Sequence, residues 1–501
     1  MAQDPGRRAL PVLDVAAGPD LAAAGAVRFG TAQGRAVLLA TVLGSGIAFL
    51  DGTVVNVALP TIDEDLGAGL SGLQWILDGY LVTLSALLLL GGSLGDLFGR
   101  RRIFVLGLFG FTGASVLCGL APGTGLLVAA RALQGMGAAL LVPGSLAILA
   151  STFHPEDRAR AVGAWSGLAG VATAIGPFLG GWLIDSVSWR LIFFINVPLA
   201  AVAVVVTRRW VPESSDAAAA RRPDLLGAAA VSLGLGGVAY ALIEGPGAVT
   251  ADVIVAGALG VAALVVFLVV EVRVAAPMLP LELFRSRQFS GANAMTLMVY
   301  AALAGVTFLL VLQLQVVLGY AALEAGAALL PITVLLLVLS ARTGALAQRI
   351  GPRVPMTVGP LVVAGGLVLL AGVTGGDGYV AGVMPGVVVL GLGLALTVAP
   401  LTAAVLAAVE DRHMGVGSGV NNAVARVAGL LAVAVLPAVV GIDLAGDDAA
   451  AFTAGFGRAM RLSAGLCVVG AAIALVTIRR AKPAGTSPTA GAAAGGEREG
   501  A

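Results

Sequence analysis

Several charged side chains stand inside long apolar stretches of this sequence, where ionisable groups are rare. Asp51 lies in the stretch 36–60, Asp78 in 74–96, Arg131 in 126–150 and Arg426 in 414–441. A charge at the centre of a bilayer costs about 2.5–3.5 kcal/mol or more, so it usually serves a function. A carboxylate there can bind and release protons, and a buried guanidinium needs an acid or carbonyl oxygens nearby. The residues therefore predict proton-linked chemistry, and no nucleophile–base pair indicates an enzyme.

The composition is that of a membrane protein. Of the 501 residues 58% are hydrophobic and 11% charged, whereas soluble proteins carry roughly 25% charged residues. The net charge of +1 predicts no nucleic-acid partner. Cys118 and Cys467 lie in apolar stretches and are interpreted as packing residues, while His154 and His413 are too far apart to predict a metal site.

Fourteen apolar stretches approach the roughly 20 residues that a helix needs to cross a bilayer. They lie at 36–60, 74–96, 103–121, 126–150, 161–184, 190–207, 225–244, 252–271, 290–318, 324–347, 355–374, 379–408, 414–441 and 459–478. The sequence thus predicts an all-α polytopic membrane protein with 14 transmembrane helices. Residues 1–34 and 481–501 are rich in Ala, Gly and Pro and are predicted to be cytoplasmic tails, the second of them disordered.

The basic residues support this count. With the N-terminus inside, only Arg190, Arg458 and Arg461 of the 29 Lys and Arg residues fall in external segments. Arg131, Arg342 and Arg426 fall within spans, and all the others are cytoplasmic. Since cytoplasmic loops carry an excess of Lys and Arg, we expect both termini to be cytoplasmic.

An internal repeat indicates two halves. The loop after the second predicted span, with Gly92, Leu94, Gly99 and Arg101, is matched after the tenth span by Gly344, Leu346, Gly351 and Arg353. Two parallel six-helix halves explain this spacing if two extra helices lie between them. We therefore divide the chain into a tail (1–34), an N-terminal half (35–210), a central two-helix insertion with its flanking loops (211–280), a C-terminal half (281–480) and a second tail (481–501).

Several motifs, in order along residues 36–480, resemble those of the major facilitator superfamily and specifically of its 14-span drug:proton antiporters. They are Leu50-Asp51-Gly-Thr53 through Pro60, the loop Gly92 to Arg102, Arg131-Ala-Leu-Gln134-Gly135, the run Gly170 through Gly176-Pro177 to Gly180-Gly181, and Trp189-Arg190 with Asn196-Val-Pro198. The resemblance implies the major facilitator fold, no cofactor other than protons as the coupling ion, and no metal. Gln348 departs from the pattern, because the second-half loop motif often has an acid there.

The resemblance also implies roles for the charged residues. Asp51 is expected to carry the coupling proton and Arg131 to modulate its proton affinity, against the alternative of a static salt bridge. Asp78 is associated with cationic drugs or protons, against the alternative of an interfacial residue beside Trp75 and Tyr80. Gln134 shares the helical face of Arg131 and is assigned to the substrate cavity.

Two further groups are expected to act in the conformational change. Gly92, Asp96, Gly99, Arg100 and Arg101, which we call the loop latch, are predicted to hold the cytoplasmic side shut in one state, although the arginines could serve only as topological anchors. The small residues Gly170, Gly176, Pro177, Gly180 and Gly181 are predicted to pack the fifth helix closely against another helix at the interface between halves.

Arg426 and Asn422 share one face of the thirteenth predicted span and are candidate cavity residues, together with Gln313 and Gln315 of the ninth. The seventh and eighth spans carry few polar groups and are interpreted as a peripheral hairpin. No G-x-x-x-x-G-K-[ST] motif is present, which argues against ATP-driven pumping.

The favoured function is proton-coupled efflux of a drug or antibiotic across the plasma membrane by alternating access. The partners expected are a small-molecule substrate and the lipid bilayer, with the protein a monomer. An importer, an exporter of one metabolite and a membrane receptor or scaffold without transport are the alternatives. The substrate stays open among lipophilic cations, neutral antibiotics and a self-made metabolite.

Overall fold

The computed structural model describes residues 27–216, 223–274, 277–410, 414–442 and 449–479. This part contains fourteen helices long and apolar enough to cross a membrane, which confirms the predicted fold class. They are α1 Ala32–Leu66, α2 Gly69–Phe98, α3 Arg100–Gly119, α4 Thr124–Thr152, α5 Pro155–Ser186, α6 Leu191–Trp210, α7 Leu225–Glu244, α8 Ala251–Arg273, α9 Arg287–Val317, α10 Ala322–Ile350, α11 Arg353–Leu370, α12 Tyr379–Leu406, α13 Met414–Val440 and α14 Ala449–Thr477. His413, the second predicted tail and most of the first lie outside the described residues.

Several helices extend beyond the predicted apolar windows. Helix α1 continues past Pro60, so that Asp63, Glu64 and Asp65, expected in a loop, lie in its last turns. Helix α14 begins at Ala449, well before the predicted 459. Hydropathy marks only the part of a helix that crosses the hydrocarbon, and helices project beyond it into the interfacial region.

Four of the spanning helices depart from a continuous α-helix, two by a break and two by a π-helical turn at one end. Helix α6 is built from Leu191–Phe194 and Asn196–Trp210, and α10 from Ala322–Ala328 and Leu330–Ile350. Helix α9 ends in a π-helical turn at Gln313–Val317, and α12 begins with one at Tyr379–Val383. A 3₁₀ turn, Leu281–Arg285, precedes α9.

The helices form two halves that pack in the same way. Helices α2 and α3 pack on α4 as α10 and α11 pack on α12, and α1 packs on α5 as α9 packs on α13. The turns after α2 and α10 are built alike, because Gly99 and Gly351 both adopt left-handed conformations, with φ of 106° and 86°. Glycine adopts such angles at little cost, which explains its recurrence at this position.

The extra helices α7 and α8 form a hairpin beside both halves. Leu235 and Ala239 of α7 are buried in one cluster with Val82 and Ala86 of α2 and Leu430 of α13. Helix α8 packs on α7 and leaves most of its apolar surface exposed, as a lipid-facing helix does. The hairpin therefore covers the seam between α2 and α13.

The halves are joined by hydrogen bonds at one end of the bundle, which we call the Asp185 end. Gln74 of α2 donates to the Val433 carbonyl of α13 at 2.6 Å, and Gln315 of α9 donates to the Val57 carbonyl of α1 at 2.9 Å. Toward the opposite end, which holds Asp96, the glycines of α5 have fewer close neighbours. A Cβ atom added at Gly163 or Gly170 would meet no atom within 4 Å.

Candidate functional site

The centre of the N-terminal half holds a buried ion pair between Asp51 of α1 and Arg131 of α4. Arg131 Nη1 donates to Asp51 Oδ2, and the side chains of Arg131 and Asp51 are 1% and 0% exposed, respectively. Asp51 Oδ1 accepts hydrogen bonds from Gln134 Nε2 at 2.8 Å and Asn196 Nδ2 at 3.3 Å. Both carboxylate oxygens are therefore satisfied, which is what burial of a charge requires.

Arg131 has other partners besides Asp51. Its Nε donates to the Ile76 carbonyl at 3.0 Å, and its Nη1 also donates to Gln134 Oε1 at 2.6 Å. The guanidinium carbon lies 4.4 Å from the centre of the Tyr80 ring, in a cation–π contact. The planar, multidentate guanidinium suits these separate partners in a way that an ammonium group would not.

Ser115 and Asn196 complete this group, and neither was assigned a role from the sequence. Ser115 Oγ accepts from Gln134 Nε2 at 3.2 Å and from Asn196 Nδ2 at 2.9 Å, and donates to the Phe193 carbonyl at 2.8 Å. Asn196 is the first residue after the interruption of α6. Gln134, expected in the substrate cavity, is instead fully buried beside Asp51. We call Asp51, Arg131, Gln134, Ser115 and Asn196 the polar cluster.

Asp78 has a different environment from the one expected at an aromatic belt. It is 0% exposed on α2, and within the described part of the chain neither carboxylate oxygen has a hydrogen-bond partner. Gln74, one turn earlier on the same helix, is bonded to α13. Transferring an ionised carboxylate from water to such a place is costly, so Asp78 is the least compensated acid of the bundle.

The other candidate cavity residues are dispersed. Gln313 is fully buried and donates to Thr453 of α14 at 3.3 Å, within the C-terminal half. Asn422 bonds only weakly to its own helix, through the Ser418 carbonyl at 3.4 Å. Arg426, in the middle of α13, is partly buried and lies with its guanidinium carbon 5.7 Å from the centre of the Phe49 ring of α1. Of the candidate cavity residues, Arg426 and Gln315 contact the opposite half, Arg426 through Phe49 and Gln315 through the Val57 carbonyl.

The loop latch engages its own half. Arg100 pairs with Asp96 at 2.7 Å, and the carboxylate of Glu213 lies 3.7 Å from Arg101 and 3.6 Å from Arg102. The backbone of Arg100 donates to the Ser214 carbonyl at 2.8 Å. Gly92 faces Pro143 of α4, and a Cβ atom at Gly99 would come within 2.8 Å of Glu213. The segment after α6 therefore binds the latch in this state, and Glu213 had not been singled out in the sequence.

The small residues of α5 pack against two helices at the Asp185 end. Cβ atoms added at Gly176 and Gly180 would come within 2.2 Å of Thr53 and 2.1 Å of Val54, respectively, both on α1. A Cβ atom at Gly181 would lie 2.5 Å from Leu323 of α10, and the Pro177 carbonyl abuts Gly326 of α10. Gly170 differs from these glycines, because it is exposed and a Cβ atom added there would meet no described atom within 4 Å.

The carboxylate of Asp185 joins α5 to the start of α10. Its oxygens accept hydrogen bonds from the backbone amides of Ala322 at 3.2 Å and Leu323 at 2.8 Å. These amides belong to the first turn of α10, where helix N–H groups lack intrahelical partners. One half thus caps a helix of the other half.

Two similarly packed six-helix halves, joined at one end and enclosing buried charges, define a secondary membrane transporter. The chain belongs to the major facilitator superfamily, whose family model matches residues 41–433. The family and the relatives below are transporters, so the chain is not classed as an enzyme. Among the described residues no group of three or more His, Cys, Asp and Glu could hold a metal ion.

Similar proteins include bacterial resistance and export proteins. The multidrug resistance protein Stp of Mycobacterium tuberculosis (strain CDC 1551 / Oshkosh) is 36% identical over 405 residues, covering 80% of this chain and 75% of that protein. The probable actinorhodin transporter of Streptomyces coelicolor is 36% identical over 436 residues, covering 84% and 74%. The methylenomycin A resistance protein of Bacillus subtilis is 35% identical over 416 residues, covering 82% and 88%.

Solved structures show the same fold. A bacterial homologue of the human lysosomal transporter Spinster, in an inward-facing, unoccupied conformation, superposes with a TM-score of 0.64 at 18% identity, covering 89% of this chain and 98% of that one. The inward-open xylose transporter XylE from E. coli gives a TM-score of 0.62 at 14% identity, covering 89% and 97%.

Proposed function

We propose that this chain exports small drug-like molecules from the cytoplasm in exchange for protons, by alternating access. The buried pair of Asp51 and Arg131 is the observation that carries the proposal, because a membrane-embedded carboxylate held by a removable counter-charge can load and release a proton. The names of the relatives, which include multidrug resistance, antibiotic resistance and export proteins, support the direction of transport.

The orientation follows from the arginines. Arg100, Arg101 and Arg102 lie at the Asp96 end, which we assign to the cytoplasm of a plasma-membrane protein with both termini inside. The joined Asp185 end then faces outward, so that the conformation described here is closed to the outside and open toward the cytoplasm along α5. We take the monomer to be the functional unit.

In this state the polar cluster is buried and Asp51 is paired with Arg131. Protonation of Asp51 removes its charge, so that the attraction to Arg131 is lost and the guanidinium retains only Gln134, the Ile76 carbonyl and the Tyr80 ring. Opening of the Asp185 end would admit the proton from outside, and the return to this state would expel it toward the cytoplasm. Alternation thus couples proton entry to substrate exit.

Asp78 is proposed to take part in the same cycle. Because its carboxylate is buried without a partner, it is suited to accept a proton, or the cationic group of a substrate, in one of the two states. The loop latch is proposed to control the cytoplasmic side, with the segment containing Glu213 binding it in the inward-open state.

The test is drug accumulation in bacterial cells that express the protein or carry an empty vector. A panel of fluorescent dyes and antibiotics is measured with and without a protonophore. Export by this protein lowers accumulation of some compounds in the expressing cells, and the protonophore abolishes the difference. A difference that survives collapse of the proton gradient would reject proton coupling, and higher accumulation in the expressing cells would identify an importer.

A further inference from the structure

Arg426 is a cation without a counter-ion in the middle of the bundle. Within the described residues no Asp or Glu oxygen lies within 4.0 Å of its guanidinium nitrogens. Its side chain also donates no hydrogen bond to these residues. It lies one residue before the midpoint of α13, and an unpaired charge at that depth is costly unless it serves a ligand or lies in a water-filled cavity.

The acids that could neutralise Arg426 are distant, paired with another residue or not in contact with it. The only acid in the sequence of the six C-terminal spans is Glu324, in the first turn of α10 at the far end of the bundle. Asp51 of the opposite half is already paired with Arg131. Asp78 is buried without any partner, so it does not serve Arg426 in this state.

One aromatic ring lies beside the guanidinium of Arg426, and further aromatic residues lie near it. The Phe49 ring lies beside it and is itself 6.3 Å from the Trp165 ring of α5. Arg426 is also near enough to Tyr80 of α2 and Tyr300 of α9 to interact with them electrostatically. These residues come from both halves, so the place lies on the interface where substrate sites of such transporters are found.

Two glycines of α13 let neighbouring helices pack closely on either side of Arg426. Gly419, two turns before Arg426, packs against Leu89 of α2, and Gly429, one turn after it, packs against Leu81 of α2 and Ala304 of α9. Close contacts of α13 with other helices thus lie on both sides of Arg426 along the helix, and the Arg426 side chain lies beside Phe49.

We propose that Arg426 and Phe49 form the anion-binding part of the substrate site, which takes molecules with an ionised carboxylate or phenolate on a planar aromatic body. A guanidinium binds a carboxylate through two parallel hydrogen bonds, and aromatic rings stack on the apolar body. A free cation at this place repels lipophilic cations, which reduces their binding. This inference rests on the proposed function in one respect: the molecule that binds at Arg426 is taken to be the molecule that is exported.

The test measures equilibrium binding, which does not depend on proton coupling. Purified full-length protein in nanodiscs is titrated with carboxyfluorescein, a planar aromatic anion, and with ethidium, a planar aromatic cation, by fluorescence anisotropy. Wild type is expected to bind the anion more tightly. Arg426→Gln is expected to weaken binding of the anion by about tenfold or more, as loss of a charge-assisted hydrogen bond does, without weakening that of ethidium. Arg426→Lys should retain part of the affinity.

Arg273→Gln is the matched control, since it removes an exposed arginine at the end of the peripheral hairpin, and it should leave both affinities unchanged. The double variant Asp78→Asn/Arg426→Gln excludes a purely structural role: if Arg426 only pairs with Asp78 in another state, removing both charges restores anion binding. Equal anion affinity in wild type and Arg426→Gln, tighter binding of ethidium by wild type, or binding of neither dye would each overturn the proposal. Proton-driven export of ethidium without binding of the anion would overturn it while leaving the proposed function standing.

Discussion

Asp51 on α1 and Arg131 on α4 form an ion pair from which water is excluded. Replacing one member of such a pair leaves the other as an uncompensated buried charge, at a cost of about 3–5 kcal/mol. Protonating Asp51 likewise leaves Arg131 without its counter-charge, although the neutral acid can keep accepting the hydrogen bonds of Gln134 and Asn196. A proton on Asp51 therefore changes the electrostatic balance of the N-terminal half while these hydrogen bonds are kept.

Arginine at position 131 should not be replaceable by lysine. Lysine keeps the charge but cannot contact Asp51, the Gln134 oxygen and the Ile76 carbonyl from one planar group. We expect Arg131→Gln to abolish transport and Arg131→Lys to lower the initial rate by roughly tenfold or more, since about two hydrogen bonds of about 1 kcal/mol each are lost. Rates are normalised to the inserted protein. Wild-type transport by Arg131→Lys would show that charge alone is sufficient.

The close approach of α5 to α10 should stabilise the conformation that is closed at the Asp185 end. Gly181→Ala places a methyl group 2.5 Å from the Leu323 backbone, and overpacking of this kind costs about 1–3 kcal/mol. Spin labels on Ser186 and Ala321 should report a longer distance across this end. Gly163→Ala, with no atom within 4 Å, is the matched control and should leave the distance unchanged. An unchanged distance in Gly181→Ala would mean that this contact does not hold the halves together.

Asp185 should stabilise the same conformation by capping α10 from the opposite half. Asp185→Ala removes both hydrogen bonds to the amides of Ala322 and Leu323, and an exposed cap contributes about 1 kcal/mol, or roughly fivefold in the ratio of the two states. The same pair of labels should show a larger open fraction. Asp63→Ala is the control, since Asp63 accepts from Gly69 within one half. Equal shifts in both variants would indicate a general loss of stability.

The sequence predicted the helices and the charged residues of the site, because apolar length and buried charge both leave strong compositional signals. It did not predict the whole polar cluster. Ser115 lies in an apolar helix, where a hydroxyl can also bond to its own backbone and so carries no signal. Gln134 was assigned to the cavity because the sequence shows that it shares a helical face with Arg131. The sequence does not show which neighbouring helices that face contacts. Those contacts depend on how α4 packs against α1, α2 and α3.

Contacts between residues far apart in the sequence were also not predicted. Glu213 follows α6 in a polar segment that resembles an ordinary solvated loop, yet it contacts Arg101 of the loop latch and the neighbouring Arg102, more than 100 residues earlier. Gly170 and Gly181 belong to one motif, but of the two only Gly181 lies close to another helix, the start of α10. Such differences depend on the conformational state, which a sequence pattern does not specify.

The most direct test of the account is transport by Asp51→Asn in proteoliposomes. A compound identified by the accumulation assay is followed in two modes, uptake driven by an imposed pH gradient and exchange of labelled for unlabelled compound without a gradient. Asparagine keeps the shape of the side chain but cannot carry the coupling proton. Asp51→Asn/Arg131→Gln, which removes both charges, controls for the unpaired guanidinium. The account predicts that both variants lose gradient-driven transport and that the double variant retains exchange. Gradient-driven transport at the wild-type rate in either variant would contradict the assignment of Asp51 as the proton carrier.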